Sequence, residues 1–205
     1  MPARTALSVR PLRLAVASLR LLLALTVLLG VLYPASVLLV GRLVPDRADG
    51  SPVRVDGQVV GSALLGQAVP EGPEGDAFLH PRPSAAGDGY DPLASGASNL
   101  GPSSPELVAL VEERRAAVAA REGVDPALVP ADAVTASGSG LDPHVSPAYA
   151  ALQVPRLARE RGLSEDAVRA VVADATTGRW LGVVGEPAVS VLAVNLALEE
   201  EAPVR

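Results

Sequence analysis

The sequence predicts one N-terminal transmembrane helix followed by a single mixed domain of α/β type, with α+β as the other arrangement open to its strands. Three observations predict it: an uncharged run from Leu21 to Gly41, an Asp56-Gly57 turn between β-branched stretches, and a series of serine-led helix starts beyond Leu100.

The first element is the membrane helix. Leu21 to Gly41 is free of charge over 21 residues, and at 1.5 Å per residue such a helix spans ~31 Å, the thickness of a hydrocarbon core. Leu14 to Leu19 extend the apolar character toward the N-terminus. Arg4, Arg10, Arg13 and Arg20 precede the run and Arg42 follows it. Arginines are retained in the cytoplasm, so the N-terminus is expected inside and the C-terminal domain outside. A cleaved signal peptide is the competing reading. Its apolar stretch is only about 7–15 residues long and ends in a small-x-small site, whereas here the run is longer and contains Tyr33-Pro34. Those two residues are expected near the outer interface, where an aromatic ring with a polar tip is favoured and a helix can end or bend. The resulting organisation is a cytoplasmic segment at 1–11, a transmembrane region at 12–41 and an extracytoplasmic domain at 42–205.

Composition bounds what that domain can do. Of the chain's 205 residues, those beyond the helix suffice for one core. Aromatic residues are 2% of the total, so the core must be built from Ala, Val and Leu. There is no cysteine, which removes disulfides, thiolate metal sites, a thiol nucleophile and a lipoprotein-type anchor. All 17 basic residues are arginine, and five of them lie in the first 45 residues, which hold no acid. The remainder sets twelve arginines against all 23 acids, a charge of −11 that repels phosphate backbones and argues against nucleic-acid binding.

Beyond the helix the elements follow in order. Val53 to Gln67 contains Asp56-Gly57 between β-branched stretches, a two-residue hairpin signal. Ala68 to Ser104 is rich in Pro, Gly, Ser and Asp, and its spaced Phe78, Leu79 and Tyr90 predict an ordered loop packed on the domain surface rather than a disordered linker. Ser104-Pro105-Glu106 starts a helix with a capping hydroxyl, Pro at the first position and an acid at the positive dipole end. Gly123 stops it. Val129 to Thr135 is expected to be extended, and Ser137 to Pro143 to be a turn. Ser146-Pro147 opens a second helix with Leu152, Val154, Leu157 and Ala158 inward, which Pro155 should kink or split. Ser164 starts a third helix with Val168, Val171 and Val172 buried, ending at Gly178. Val189 to Leu198 reads as strand by its valines and as helix by its alanines and leucines; periodicity leaves both open.

The chemistry legible in these residues is sparse. Ser137, Ser139, Asp142 and His144 share one loop, but a Ser–His–Asp centre needs its members on different elements with an oxyanion hole, and Ser137-Gly138-Ser139-Gly140 is not a nucleophile elbow. A membrane-anchored serine hydrolase using Ser139 and His144, or a free-standing binding protein, remains as the alternative. His80 and His144 are the only histidines, too few for a zinc site. No lysine is present, so a Walker-type phosphate loop is absent. By residues alone the domain reads as an anchored accessory or binding module.

An ordered set of segments resembles the C subunit family of bacterial high-affinity potassium-transporting ATPases, the KdpC family. They are Tyr33-Pro34, Gly61 to Gln67, Phe78 to Ser84, Tyr90-Asp91-Pro92 with Ala94 to Leu100, Val134 to Pro147, Gln153 to Arg161, and Asn195 to Leu198. Pro81, Ala97 and Ser190 depart from the pattern, standing where Gly, Gly and Asn are usual. The resemblance implies a non-catalytic subunit of a four-part pump, beside a channel-like potassium-binding subunit, a P-type ATPase subunit and a small single-span subunit. It implies a role in assembly and in raising the ATP affinity of the hydrolysing subunit. On this view ATP and potassium belong to the complex, and this chain binds no cofactor of its own. Gln153 resembles a residue proposed to contact nucleotide, with Ser137 and Ser139 in the loop before it; bonding of Gln153 to the Ser137–Gly140 loop is the plainer alternative. Arg82, Asn99, Asp142, Tyr33 and Pro34 are implied as loop-fixing or partner-contacting residues. A domain outside the membrane cannot touch cytoplasmic ATP, so on the charge asymmetry any effect on ATP use is indirect.

Overall fold

The computed structural model of the chain describes residues 11–204. The expected cytoplasmic segment, Pro11 apart, lies outside them. The chain divides into two compact units, Met1–Gly50 and Ser51–Arg205, each described by itself.

The first unit is one long helix, α1 (Pro11–Gly41), apolar enough to cross a membrane and without a buried residue in its most apolar stretch, followed by a helical turn at Pro45–Ala48. It neither ends nor breaks at Tyr33-Pro34. Proline there has no N–H to donate and its ring clashes with the carbonyl four residues back. The chain absorbs this as a wider π-helical turn at Leu28–Leu32, in which the Tyr33 N–H bonds the Leu28 carbonyl, and the helix then runs on to Gly41. Arg20 and Arg42 bracket ~33 Å of helix. Tyr33 and Pro34 therefore fall within that stretch rather than at its C-terminal end.

The second unit is mixed, with short antiparallel strands, which is the α+β form. Strands β1 (Pro52–Val55) and β2 (Gln58–Ser62) make the expected hairpin, with a bulge between Val53 and Arg54. Its turn residues Asp56 and Gly57 have φ of 49° and 78°, the left-handed pair that a tight hairpin turn demands. Helix α2 (Pro105–Glu122) ends on left-handed Gly123, although the Ser104 hydroxyl makes no capping bond. The extended stretch expected at Val129–Thr135 is instead a run of 3-10 turns, Pro126–Leu128 and Ala131–Ala133; Pro126 and Pro130 cannot donate to a strand ladder.

Strand β3 (His144–Val145) leads into helix α3 (Pro147–Arg161), capped by Ser146. Pro155 does not split α3. It lies on the exposed face between buried Val154 and Arg156, where the carbonyl it leaves unbonded can be hydrated. Helix α4 (Glu165–Asp174) ends before strand β4 (Thr176–Thr177), ahead of Gly178. The ambiguous stretch from Val189 is both elements in succession. Strand β5 (Ala188–Ser190) sits between β3 and β4, and helix α5 (Val191–Glu201) follows at once. Ser190 closes the strand and caps the helix by accepting the Ala193 N–H. Serine and asparagine are equally good caps, so the departure at this position is conservative. The core packs Val154, Leu157, Val168, Val189, Val194 and Leu198 together. Leu79 joins them fully buried, so the Pro/Gly-rich segment passes through the core rather than over its surface.

Candidate functional site

The polar contacts of longest range converge on residues 76–84, a segment with no strand partner of its own. Two carboxamides supply what a neighbouring strand would have given. The Asn195 side chain accepts the Leu79 N–H at 2.7 Å and donates to the Leu79 carbonyl at 3.1 Å. Gln153 does the same for His80, at 2.8 and 3.2 Å. Both reach in from helices, so the segment is gripped between α3 and α5 at successive residues. Buried backbone groups must be paired, and here side chains pair them.

Arginines complete the grip. The guanidinium of Arg156 donates to the carbonyls of Asp76 and Phe78 and to Gln153 Oε1, and its Nε lies 3.0 Å from Glu122 Oε2. The Glu122 side chain is fully buried and also accepts Arg121 Nε at 2.7 Å. One carboxylate thus pairs with two guanidinium groups. Arg161 holds the Ala77 carbonyl at 2.7 Å, pairs with Glu199 at 2.7 Å and covers the Phe78 ring at 5.1 Å. His80 Nε2 donates to the Gly75 carbonyl at 3.1 Å while Nδ1 faces Arg121 at 3.2 Å. Burial, then the positive charges of Arg121 and Arg156, lower its pKa from 6.5 to about 3. The ring is therefore a neutral acceptor toward Arg121.

A second layer ties the same segment to the Ser137–Gly140 loop. Arg82 Nη1 meets Asp142 Oδ2 at 2.8 Å, and the remaining guanidinium nitrogens reach the Thr135 carbonyl. The Ser84 hydroxyl donates to the Gly140 carbonyl at 2.7 Å and accepts the Tyr90 N–H at 2.8 Å. The Tyr90 hydroxyl returns to the Arg82 carbonyl at 2.8 Å; burial, then the Asp142 charge, raise its pKa. The Ser139 carbonyl accepts from Gly96 N–H and the Ser95 hydroxyl, both at 2.9 Å. At Gly140, φ is +69° and a Cβ would lie 2.7 Å from Ala86 N, so the close approach of the two loops requires glycine. Arg82 stands between two openings. One is a cleft of about 330 Å³ beside His80, Tyr90, Arg121 and Tyr149; the other is a groove of about 530 Å³ along Ser137, Ser139 and Asp142.

The loop does not assemble a hydrolytic centre. The Ser139 hydroxyl accepts the Leu141 N–H at 3.1 Å, and no hydrogen bond joins Ser139 to His144 among the described residues. Asp142 Oδ1 accepts the His144 backbone N–H at 3.0 Å and stands 3.8 Å from the His144 ring.

Comparison with known proteins decides the family. The model of the KdpC family, described as K+-transporting ATPase, c chain, matches residues 15–200. A potassium-transporting ATPase KdpC subunit of Kineococcus radiotolerans is 62% identical over 192 residues, covering 94% of this chain and 96% of its own length. Its namesake in Beijerinckia indica is 51% identical over 185 residues, 90% and 92% of the two chains. That of Mycobacterium tuberculosis is 49% identical, covering 89% and 95%. The chain belongs to the KdpC family.

Within this KdpC chain the structure brings some of the expected residues together and separates others. Arg82, Asp142, Ser137 and Ser139 line one groove. The buried Ser137 hydroxyl has no hydrogen-bond partner among the described residues. Gln153 is fully buried and bonded to His80 and Arg156, not to the Ser137–Gly140 loop. Asn99 stands apart at an exposed turn with φ of 53°, its side chain donating to the Ala97 carbonyl in its own loop. Tyr33 and Pro34 belong to the other unit. Sequence reasoning missed Glu122, Arg156 and Arg161 as the segment's anchors. One signal was available for Arg161, which shares a helical face with Val154, Leu157 and Ala158; a charge within an apolar stripe must be paired when buried.

Proposed function

We propose that this chain is a membrane-anchored, non-catalytic accessory subunit of a potassium-transporting ATPase, with its mixed domain outside the cytoplasm. One observation carries the reading: the KdpC match spans residues 15–200, and so takes in both the apolar helix and nearly all of the domain. The relatives are named as subunits of such an ATPase. The partners are then a channel-like potassium-binding subunit, a P-type ATPase subunit and a small single-span subunit. Supporting the accessory role, the polar side chains around residues 76–84 are spent on holding backbone: each carboxamide atom of Gln153 already has a partner.

An influence on ATP use then passes through the assembly, as differential contact with two states of the pump. Arg82 and Asp142 form the polar face offered to a partner, and Gln153 serves as the clamp behind it. Affinity purification of the tagged full-length chain from its own membranes should bring down the three other subunits together with potassium-stimulated ATP hydrolysis. The double substitution S139A/H144A should leave that hydrolysis intact. Recovery of the chain alone, or loss of an esterase activity in the double variant, would defeat the reading in favour of an independent binding protein or hydrolase.

A further inference from the structure

The hairpin that joins β4 to β5 carries an apolar tip with no place in the grip described above. Trp180, Leu181, Val183 and Val184 are exposed at 69%, 74%, 78% and 54%. Single exposed apolar residues are ordinary, but four within five consecutive positions form a patch on the order of 400 Å². The tip is preformed. Trp180 and Val184 exchange backbone hydrogen bonds of 2.9 and 3.0 Å, and Leu181 and Gly182 turn the chain with φ of 50° and 75°. An Arg179–Glu186 pair at 2.8 Å neutralises the base. No acid occurs from Ala175 to Gly185, in a chain whose 23 acids all lie beyond residue 45.

We propose that this tip is a bilayer-interface finger, with Trp180 seated at the headgroup level and Leu181, Val183 and Val184 beside it. A lipid surface is the occupant that size, charge and tether favour. The patch is well below the roughly 800 Å² per partner that a stable protein interface buries. A weakly inserting finger needs little affinity of its own when a membrane helix already confines the domain. Residues 42–51, between the end of α1 and the start of β1, reach at most about 35 Å. Tryptophan prefers the membrane interface because its ring is apolar and its N–H polar. An acidic domain approaches lipid headgroups at least cost through its acid-free segment, within the ~8 Å over which surface charge acts. The finger would fix the orientation of the domain over the membrane. It rests on α1 crossing the bilayer, and not on the identity of the pump.

Trp180 is the only tryptophan in the chain, so its fluorescence reports on the tip without further change. The test uses the full-length chain reconstituted in vesicles of phosphatidylcholine and phosphatidylglycerol, with phosphatidylcholine brominated high on its acyl chains as quencher. The expected result is a blue-shifted emission, strong quenching by the brominated lipid, and acrylamide quenching reduced roughly threefold relative to Val183→Asp, whose tip charge keeps the ring in water. Acrylamide quenching equal in the two proteins overturns the finger. So does a ring that is shielded only after the other pump subunits are added, which assigns the tip to a protein partner. Failure of the chain to float with vesicles overturns the anchor itself, and the finger with it.

Discussion

Glu122 shows how much can rest on one carboxylate. It is buried between Arg121 and Arg156, and Arg156 in turn holds two carbonyls and Gln153. Removing one member of a buried ion cluster leaves an uncompensated charge at a cost of about 3–5 kcal/mol. Glu122→Gln should therefore lower the urea midpoint of the detergent-solubilised chain sharply. The double variant E122L/R156M should be less destabilised than the sum of its single changes, by at least about 1 kcal/mol, because it removes charge and counter-charge together. His80 gives a pH dependence of definite sign. Its folded pKa, near 3, is below the ordinary 6.5, so the unfolded chain binds the extra proton first. The stabilisation is complete above pH 6.5 and is lost as pH falls toward 3, at up to about 1.4 kcal/mol per pH unit. Urea midpoints measured between pH 7.5 and 5 should fall in the natural chain and fall less steeply in His80→Gln.

At the scale of elements, what matters is how segments without a ladder are held. The Ser137–Gly140 loop contains two glycines with opposite demands. A Cβ on Gly140 would meet Ala86 N at 2.7 Å and Gly96 O at 2.8 Å, in a left-handed conformation, while nothing lies within 4 Å of one on Gly138. Gly140→Ala should cost more than about 2 kcal/mol, and Gly138→Ala less than about 1. Hydrogen exchange at Tyr90 and Gly96, whose N–H groups bond into this layer, should accelerate in the first variant alone. Helix α3 illustrates the same dependence on context. Pro155 would break an isolated helix, yet here buried side chains on both sides of it hold the turn together.

For the whole molecule, the decisive prediction is orientation. A reporter fused after Arg205 should be active outside the cytoplasm, and protease added to spheroplasts should remove the domain from about Val44 onward; protection of the domain would reverse the assignment. The single long apolar helix, the Asp56-Gly57 hairpin, the serine caps of α3 and α4 and the family segments were all readable along the chain, because each depends on neighbours within a few residues or on transfer to lipid. Periodicity alone left Val189 to Leu198 undecided, since three residues of strand and the start of a helix share one valine-rich stretch, and only pairing with β3 and β4 separates them. The role of Gln153 was hidden for a similar reason: its partner His80 lies 73 residues away. Local chemistry determined the long apolar helix, the hairpin turn, the caps and the family segments. Tertiary structure alone decided which buried polar groups hold residues 76–84, because desolvation penalises a buried polar group without a partner, and that partner is chosen by proximity in space rather than along the chain.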